Sequence, residues 1–206
     1  MAQKRIGIYS GTFDPVHAGH IAFALQAMER AGLDKLYFLP ERRPRHKKGV
    51  EHFAHRVAML KQALQPHPRF DVLELDDVSF SVVRTLPKLQ RQFQGNQLVF
   101  LFGSDAITGL PAWPQADRLL KQTELVIACR WQDDKPAIQD LMNSWRIAPR
   151  KHIIINSYAP EVSSGNVRSA LRRRQPVRGL LKSVEHYSNR NWLYISLAET
   201  ASIDKA

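Results

Sequence analysis

Ten residues near the start of the chain concentrate groups able to do chemistry: Gly11-Thr12-Phe13-Asp14-Pro15-Val16-His17-Ala18-Gly19-His20. His17 and His20 are three apart, so on a helix that begins near residue 17 they share one face. Gly11 would let the chain turn after a strand. Pro15 stiffens the approach, and Gly19 clears space between the imidazoles. A helix start offers unpaired N–H groups and partial positive charge, a ready site for an anion. Two imidazole N–H donors beside it could stabilise charge on a phosphoryl group. Two other readings stay open. The pair could be polar residues at a helix start, or zinc ligands, although no third ligand is evident nearby. The turn lacks G-x-G-x-x-G and any Walker-type phosphate loop.

Three further stretches could join it. In "SSGNVRSALRRR", Ser163 and Ser164 suit a helix N-cap, with Arg168 on the first turns. That arrangement fits a polyphosphate or a capped basic surface helix, and Arg172, Arg173 and Arg174 read as a solvated face. In "RRPRHKKG", His46 and Lys47 follow Pro44 in a basic loop that could fold over a charged substrate or lie as a solvated charge run. In "FLFGSDAITGLPAWP", Gly103 ends an apolar strand and Asp105 could accept from ribose hydroxyls. Trp113, bordered by prolines, could stack on an aromatic ring or be a half-buried core residue.

The bulk composition narrows the setting. A chain of 206 residues, 44% hydrophobic and 24% charged, can bury one core without staples. No apolar run approaches the length needed to span a bilayer. The basic start does not continue into a signal peptide. The lone cysteine, Cys129, excludes an internal disulfide and reads as a small buried thiol in "ELVIAC". These features point to the cytoplasm and away from a membrane. The net charge of +11 suits nucleic acid, small phosphorylated molecules, or solubility alone. No RNA-recognition aromatic motif or zinc-finger spacing is visible, which disfavours nucleic acid.

The elements that must position these groups alternate. Strands are predicted at 4–10, 35–39, 69–75, 97–102, 124–129 and 152–156. Helices are predicted at 18–31 (with Ile21, Leu25 and Met28 inward), 51–64 (with Val57, Leu60 and Leu64), and 80–93 with Pro87 at a kink or boundary. Shorter ones follow at 104–109 and 114–122, and two close the chain at 164–174 and 177–188. "CRWQDDKPA" reads as a surface loop. The pattern predicts an α/β fold, a Rossmann-like, doubly wound parallel sheet with helices on both faces. Ligands of such sheets bind at the carboxyl ends of the strands, where the strand order reverses. The chain is expected to form one domain over 1–206, with a C-terminal helical segment near 164–195 and a frayed tail at 196–206.

G-T-F-D-P-V-H-A-G-H resembles the G-x-F-D-P-x-H-x-G-H signature of the H-x-G-H nucleotidyltransferase superfamily, and V-S-S-G-N-V-R resembles its I-S-S-T-x-I-R signature. P-x-x-x-P-x-H-K at 40–47, S-F-S with T-L at 79–86, G-S-D…L-P-x-W at 103–113 and "VEHYSNRNWLY" resemble the bacterial nicotinate mononucleotide adenylyltransferases within it. The resemblance covers roughly 4–195. It implies transfer of AMP from ATP to nicotinate mononucleotide, with nicotinamide mononucleotide, another phosphate ester, or a non-catalytic nucleotide- or RNA-binding role as alternatives. It implies that Gly11, Thr12, Phe13, His17, His20, Ser163, Ser164 and Arg168 serve the ATP phosphates, and that Gly103 and Asp105 serve adenosine. His46, Lys47, Thr85 and Trp113 would serve the acceptor. His17, His20, Lys47 and Arg168 would be the catalytic set. Mg²⁺ would bridge phosphates through substrate oxygens and water, without a protein metal site. A homo-oligomer is left open. Three positions depart from the pattern: Gly165 replaces a threonine, Pro114 an aromatic and Glu41 an asparagine.

Overall fold

The computed structural model describes residues 3–45, 47–129, 134–157, 159 and 161–195. His46 and the tail 196–206 lie outside them.

Six strands form one sheet: β1 (Arg5–Gly11), β2 (Lys35–Pro40), β3 (Phe70–Val72), β4 (Gln97–Gly103), β5 (Glu124–Cys129) and β6 (His152–Asn156). All neighbours are parallel, in the order β3-β2-β1-β4-β5-β6. The order reverses between β1 and β4, so the motif after β1 emerges at the switch point. This is the expected Rossmann-like architecture.

Strand alternation sorts the core into two layers. On β4, Val99 and Leu101 face one side while Leu98, Phe100 and Phe102 face the other. The first layer receives α1 (Ala18–Arg30), α2 (Phe53–Leu64) and α8 (Lys182–Arg190), through residues such as Met28, Leu60 and Val184. The second receives α3 (Thr85–Gln92), α4 (Ser104–Gly109), α5 (Ala116–Gln122) and α6 (Asp134–Asn143), through Leu89, Ile107, Leu119 and Ile138. A further helix, α7 (Ser164–Arg172), buries Val167. No helix of the described residues is long and apolar enough to cross a membrane.

Several local expectations differ. Leu25 is 45% exposed, because the buried stripe of α1 runs through Ile21, Ala24 and Met28, with Phe23 and Ala27 beside it. β3 is only three residues long. The helix expected at 80–93 starts at Thr85, which puts Pro87 in its first turn, where a missing N–H costs nothing. α5 starts at Ala116, after Gln115 in the left-handed region. α8 begins at Lys182, five residues later than predicted.

α6 occupies 134–143, where the sequence suggested loop through Ala137. Asp134 complements the dipole at its start, Pro136 falls in its first turn, and Ile138 and Met142 are buried four apart. Residues 130–133 are outside the described set. Cys129 is fully buried, and burial pushes its thiol pKa up, in keeping with a structural thiol.

Candidate active site

The loop from β1 into α1 is built around Phe13. Its backbone sits at φ 50°, in the left-handed region that is uncommon for a bulky residue. Its ring is 2% exposed and packs against Tyr9, Phe38 and His20, with centroids 5.3, 5.4 and 5.1 Å away. This explains Gly11: a Cβ there would lie 2.9 Å from Phe13 Cζ. β1 ends at Gly11, and the missing side chain there also admits the Phe13 ring. Gly19 does similar work, since a Cβ there would lie 3.1 Å from His17 ring atoms.

The two imidazoles come together as the spacing predicted, with ring centroids 3.7 Å apart. His17 is the N-cap of α1, in extended backbone, and its N–H donates to His20 Nδ1 at 3.2 Å. That bond makes Nδ1 of His20 an acceptor and leaves its proton on Nε2. Burial first, then the charges of His17 and Lys47, holds His20 well below the ordinary imidazole pKa. His20 is therefore a neutral donor at pH 7.

The start of α7 docks onto the same loop. Ser163 caps the helix by accepting from the Asn166 N–H at 3.1 Å. The Ser164 hydroxyl donates to the Pro15 carbonyl at 3.0 Å. Arg168 donates to the Asp14 carbonyl and approaches the Asp14 carboxylate at 3.6 Å. Asp14, 3% exposed, also accepts the Tyr194 hydroxyl at 2.7 Å and the Glu51 N–H at 3.4 Å. Burial and Asp14 together push the Tyr194 pKa up, so that phenol stays a donor. One carboxylate thus joins the motif loop, α7 and the segment after α8.

Arg56 ties the remaining loops. It is 1% exposed and donates to the carbonyls of Thr12, Glu41, Arg42 and Glu51 at 2.7–3.1 Å. Neither Asp14 nor Arg56 was singled out from the sequence. Asp14 had a signal, a carboxylate inside the motif. Arg56 had none beyond a charge on the apolar side of α2.

Two cavities open at the carboxyl ends of the strands. The first, about 260 Å³, is lined by His17, His20, Lys47, Gly103, Asp105, Ser163 and Ser164, with Tyr9, Ser104 and Ser157 among its other walls. The second, about 370 Å³, is lined by Gly11, Thr12, Glu41, Arg45, Lys47 and Trp113, with Phe80 and Phe102 behind. Lys47 borders both, with Nζ donating to Thr12 Oγ1 at 2.9 Å.

Trp113 is half-buried, packed against Phe80 and Phe102, and still faces the second cavity. The half-buried reading of it holds. Thr85 is buried and accepts from the Ser81 N–H at 3.0 Å. It borders a small void shared with Glu41 and Phe80, not the second cavity itself. Arg168 likewise stands behind the first cavity, turned to Asp14. Gly165 has open space around its missing Cβ, with Ser163 Oγ at 3.8 Å. Among the described residues no group of three or more His, Cys, Asp or Glu could hold a metal ion.

The sequence matches the cytidylyltransferase-like family over residues 8–170. A nicotinate-nucleotide adenylyltransferase of Bacillus subtilis is 37% identical over 129 residues, 60% of this chain and 68% of the relative. A probable nicotinate-nucleotide adenylyltransferase of Legionella pneumophila is 32% identical over 208 residues, 92% of this chain and 98% of the relative. The fold superposes on Plasmodium falciparum nicotinic acid mononucleotide adenylyltransferase, solved with NaAD, with a TM-score of 0.75 at 18% identity, covering 93% and 98% of the chains.

Proposed function

We propose that this chain, which belongs to the cytidylyltransferase-like family, transfers AMP from ATP to the 5′-phosphate of nicotinate mononucleotide, giving nicotinate adenine dinucleotide and pyrophosphate. It is a nucleotidyltransferase of the adenylyltransferase kind. The observation that carries the reading is the pair of cavities that meet at Lys47. One is built on helix starts and lined by imidazoles, hydroxyls and a lysine. The other is walled by aromatic rings. Joining two nucleotides requires that the triphosphate of one and the phosphate of the other meet at a single reacting phosphorus.

An oxygen of the acceptor phosphate attacks the α-phosphorus of ATP. A new P–O bond forms, the bond to the bridging oxygen of the β-phosphate breaks, and pyrophosphate leaves with the electron pair. The acceptor phosphate is anionic at neutral pH, so the step needs no general base. Catalysis is positioning and charge stabilisation. His20 supports this role as a neutral Nε2–H donor that loses no proton while it stabilises the α-phosphoryl oxygens. His17 stacks on it and serves the same phosphates. Lys47, with His46, would neutralise charge where the two substrates meet. Ser163, Ser164 and the amides at the start of α7 would hold the leaving pyrophosphate. Arg168 acts there through Asp14 and the motif loop. Gly11, Thr12 and Phe13 would add backbone and hydroxyl donors, while Gly103 and Asp105 take adenosine. Trp113 would border the pyridine ring, on a wall whose segment Thr85 fixes. Mg²⁺ would arrive with ATP, held by phosphate oxygens and water. The reading takes residues 1–206 as one catalytic unit, with small-molecule partners and a cytoplasmic setting.

The test is pyrophosphate release from ATP and Mg²⁺ with nicotinate mononucleotide, nicotinamide mononucleotide and phosphopantetheine offered separately. Release with a pyridine mononucleotide is expected. Silence with all three would sink the reading.

A further inference from the structure

The second cavity holds a charge arrangement that the sequence motifs did not predict. Three charged side chains face it: Glu41, Arg45 and Lys47. Lys47 sits at the junction with the first cavity, its Nζ on Thr12 Oγ1. That is where an acceptor phosphate must lie if it is to reach the α-phosphorus. Glu41 is committed elsewhere, accepting the Phe80 N–H at 3.1 Å. Arg45 is held against the aromatic wall. Its Nε donates to Ser79 Oγ at 3.1 Å and its Nη2 to the Phe80 carbonyl at 3.4 Å. Arg45 is exposed, but Ser79 is buried, so these bonds tether the guanidinium beside Phe80, one of the rings that pack on Trp113.

We propose that Arg45 is the specificity-determining residue by which this chain selects a pyridine mononucleotide carrying a ring carboxylate over one carrying a carboxamide. The inference rests on the acceptor reading given above. A pyridinium ring is already cationic. Placed near a tethered guanidinium, it is repelled unless it brings its own anion. The ring carboxylate of nicotinate supplies that anion and matches the planar fork of arginine. The carboxamide of nicotinamide is neutral and offers one oxygen, so it leaves the repulsion uncompensated. Glu41, paired to a backbone N–H, tempers the local charge without blocking the guanidinium. Position and charge together make Arg45 a reader of the ring substituent, while Lys47 handles the phosphate that both acceptors share.

The experiment compares kcat/KM for the two mononucleotides, with saturating ATP and Mg²⁺, in wild type, Arg45→Ala, Arg45→Gln and Arg45→Lys. Wild type is expected to prefer nicotinate mononucleotide. Alanine and glutamine should lower that preference by about 10- to 100-fold, mainly through loss of the nicotinate reaction, as for a charge-assisted hydrogen bond. Lysine should restore part of it, because charge returns without the fork. A merely structural role would depress both acceptors alike and leave their ratio fixed. An unchanged ratio in both alanine and glutamine variants overturns the proposal, as does a wild type that does not prefer nicotinate mononucleotide. Wild type inactive with either acceptor would instead defeat the functional reading itself.

Discussion

The two ends of the sheet use charge in opposite ways. At the amino end, Arg5 of β1 reaches across β4 to Glu124 of β5. Nη1 meets Oε1 at 3.2 Å, Nη2 meets Oε2 at 2.6 Å, and Nε donates to the Ala31 carbonyl at 2.7 Å. Each charge is satisfied inside the protein. At the carboxyl end, Lys47 is exposed and rests on a hydroxyl, while His20 is kept neutral with its N–H toward the first cavity. The amino end of the sheet thus carries a closed ion pair, while the loop and helix start at its carboxyl end carry donors with hydrogens left for a ligand. Stability and chemistry should therefore separate under mutation.

Arg56 is the hardest challenge to that division, because it lies at the reactive end and does structural work. Arg56→Ala would strand four carbonyls and open space beneath the loops that carry Thr12 and Glu41 to the second cavity. The expected loss is about 3–5 kcal/mol of folding stability, at the upper end for one substitution. It should appear as a lower urea midpoint together with lost activity. A variant that keeps wild-type stability and loses only turnover would move Arg56 into the chemistry.

His20→Ala is the complementary case. Removal of one preorganised donor should lower kcat by about 10²- to 10³-fold, while loss of the hydrogen bond from His17 should cost only about 1 kcal/mol of folding stability at neutral pH. An equal rise in KM for ATP, with kcat intact, would contradict a transition-state role. The depressed pKa also has a sign. Between the ordinary value of 6.5 and the lower folded value, the unfolded chain binds a proton that the folded chain refuses. Stability contributed by neutral His20 is thus complete above 6.5 and declines as pH falls below it. The alanine variant should lose that acid-side slope.

At the other end, Glu124→Gln should cost about 1.5–3 kcal/mol at neutral pH and leave kcat alone. Hydrogen bonds from Arg5, then its charge, hold the Glu124 carboxyl below its ordinary value of 4.5, against the opposing effect of burial. Stability from the pair is present above 4.5 and lost as pH falls through the depressed value. The variant should have a flatter stability profile over that acid range. A large fall in kcat would break the separation of the two ends.

How much of this was legible in the sequence follows from the range of the contacts. The strands and the His17–His20 pair were readable because a period of two and a spacing of three are local. The parallel sheet followed from strands separated by helices. Leu25 was misjudged because an apolar residue at helical spacing does not reveal which stripe meets the sheet. α6 was missed because Pro136 reads as a breaker unless the helix start is known to lie at Asp134. The roles of Asp14 and Arg56 were invisible for another reason. Asp14 meets Tyr194 from 180 positions away, and Arg56 meets Thr12 from 44. Arg45 looked like one more cation in a basic loop until the fold set it against Ser79 and Phe80.

The smallest expected effect is the finest probe of the reactive end. Gly165 stands where the related signature has threonine, in the first turn of α7 beside Ser163 and Ser164. Beyond its chain neighbours and its own helix backbone, a Cβ there meets nothing closer than Ser163 Oγ at 3.8 Å, an ordinary van der Waals contact. Replacing glycine inside a helix also removes backbone freedom from the unfolded chain, worth a few tenths of a kcal/mol for threonine. Gly165→Thr should leave the unfolding midpoint unchanged or slightly raised. The added hydroxyl sits at the helix start that we assign to the pyrophosphate portion of ATP. One new neutral hydrogen bond there should lower KM for ATP by about 2- to 10-fold, with kcat little altered. Stability raised with KM unmoved would mean that this turn of α7 faces away from the triphosphate. Ser163 and Ser164 would then serve only to dock α7 on the motif loop. A lower KM at constant stability would make the reactive end tunable one hydroxyl at a time, while the Arg5–Glu124 edge holds the sheet.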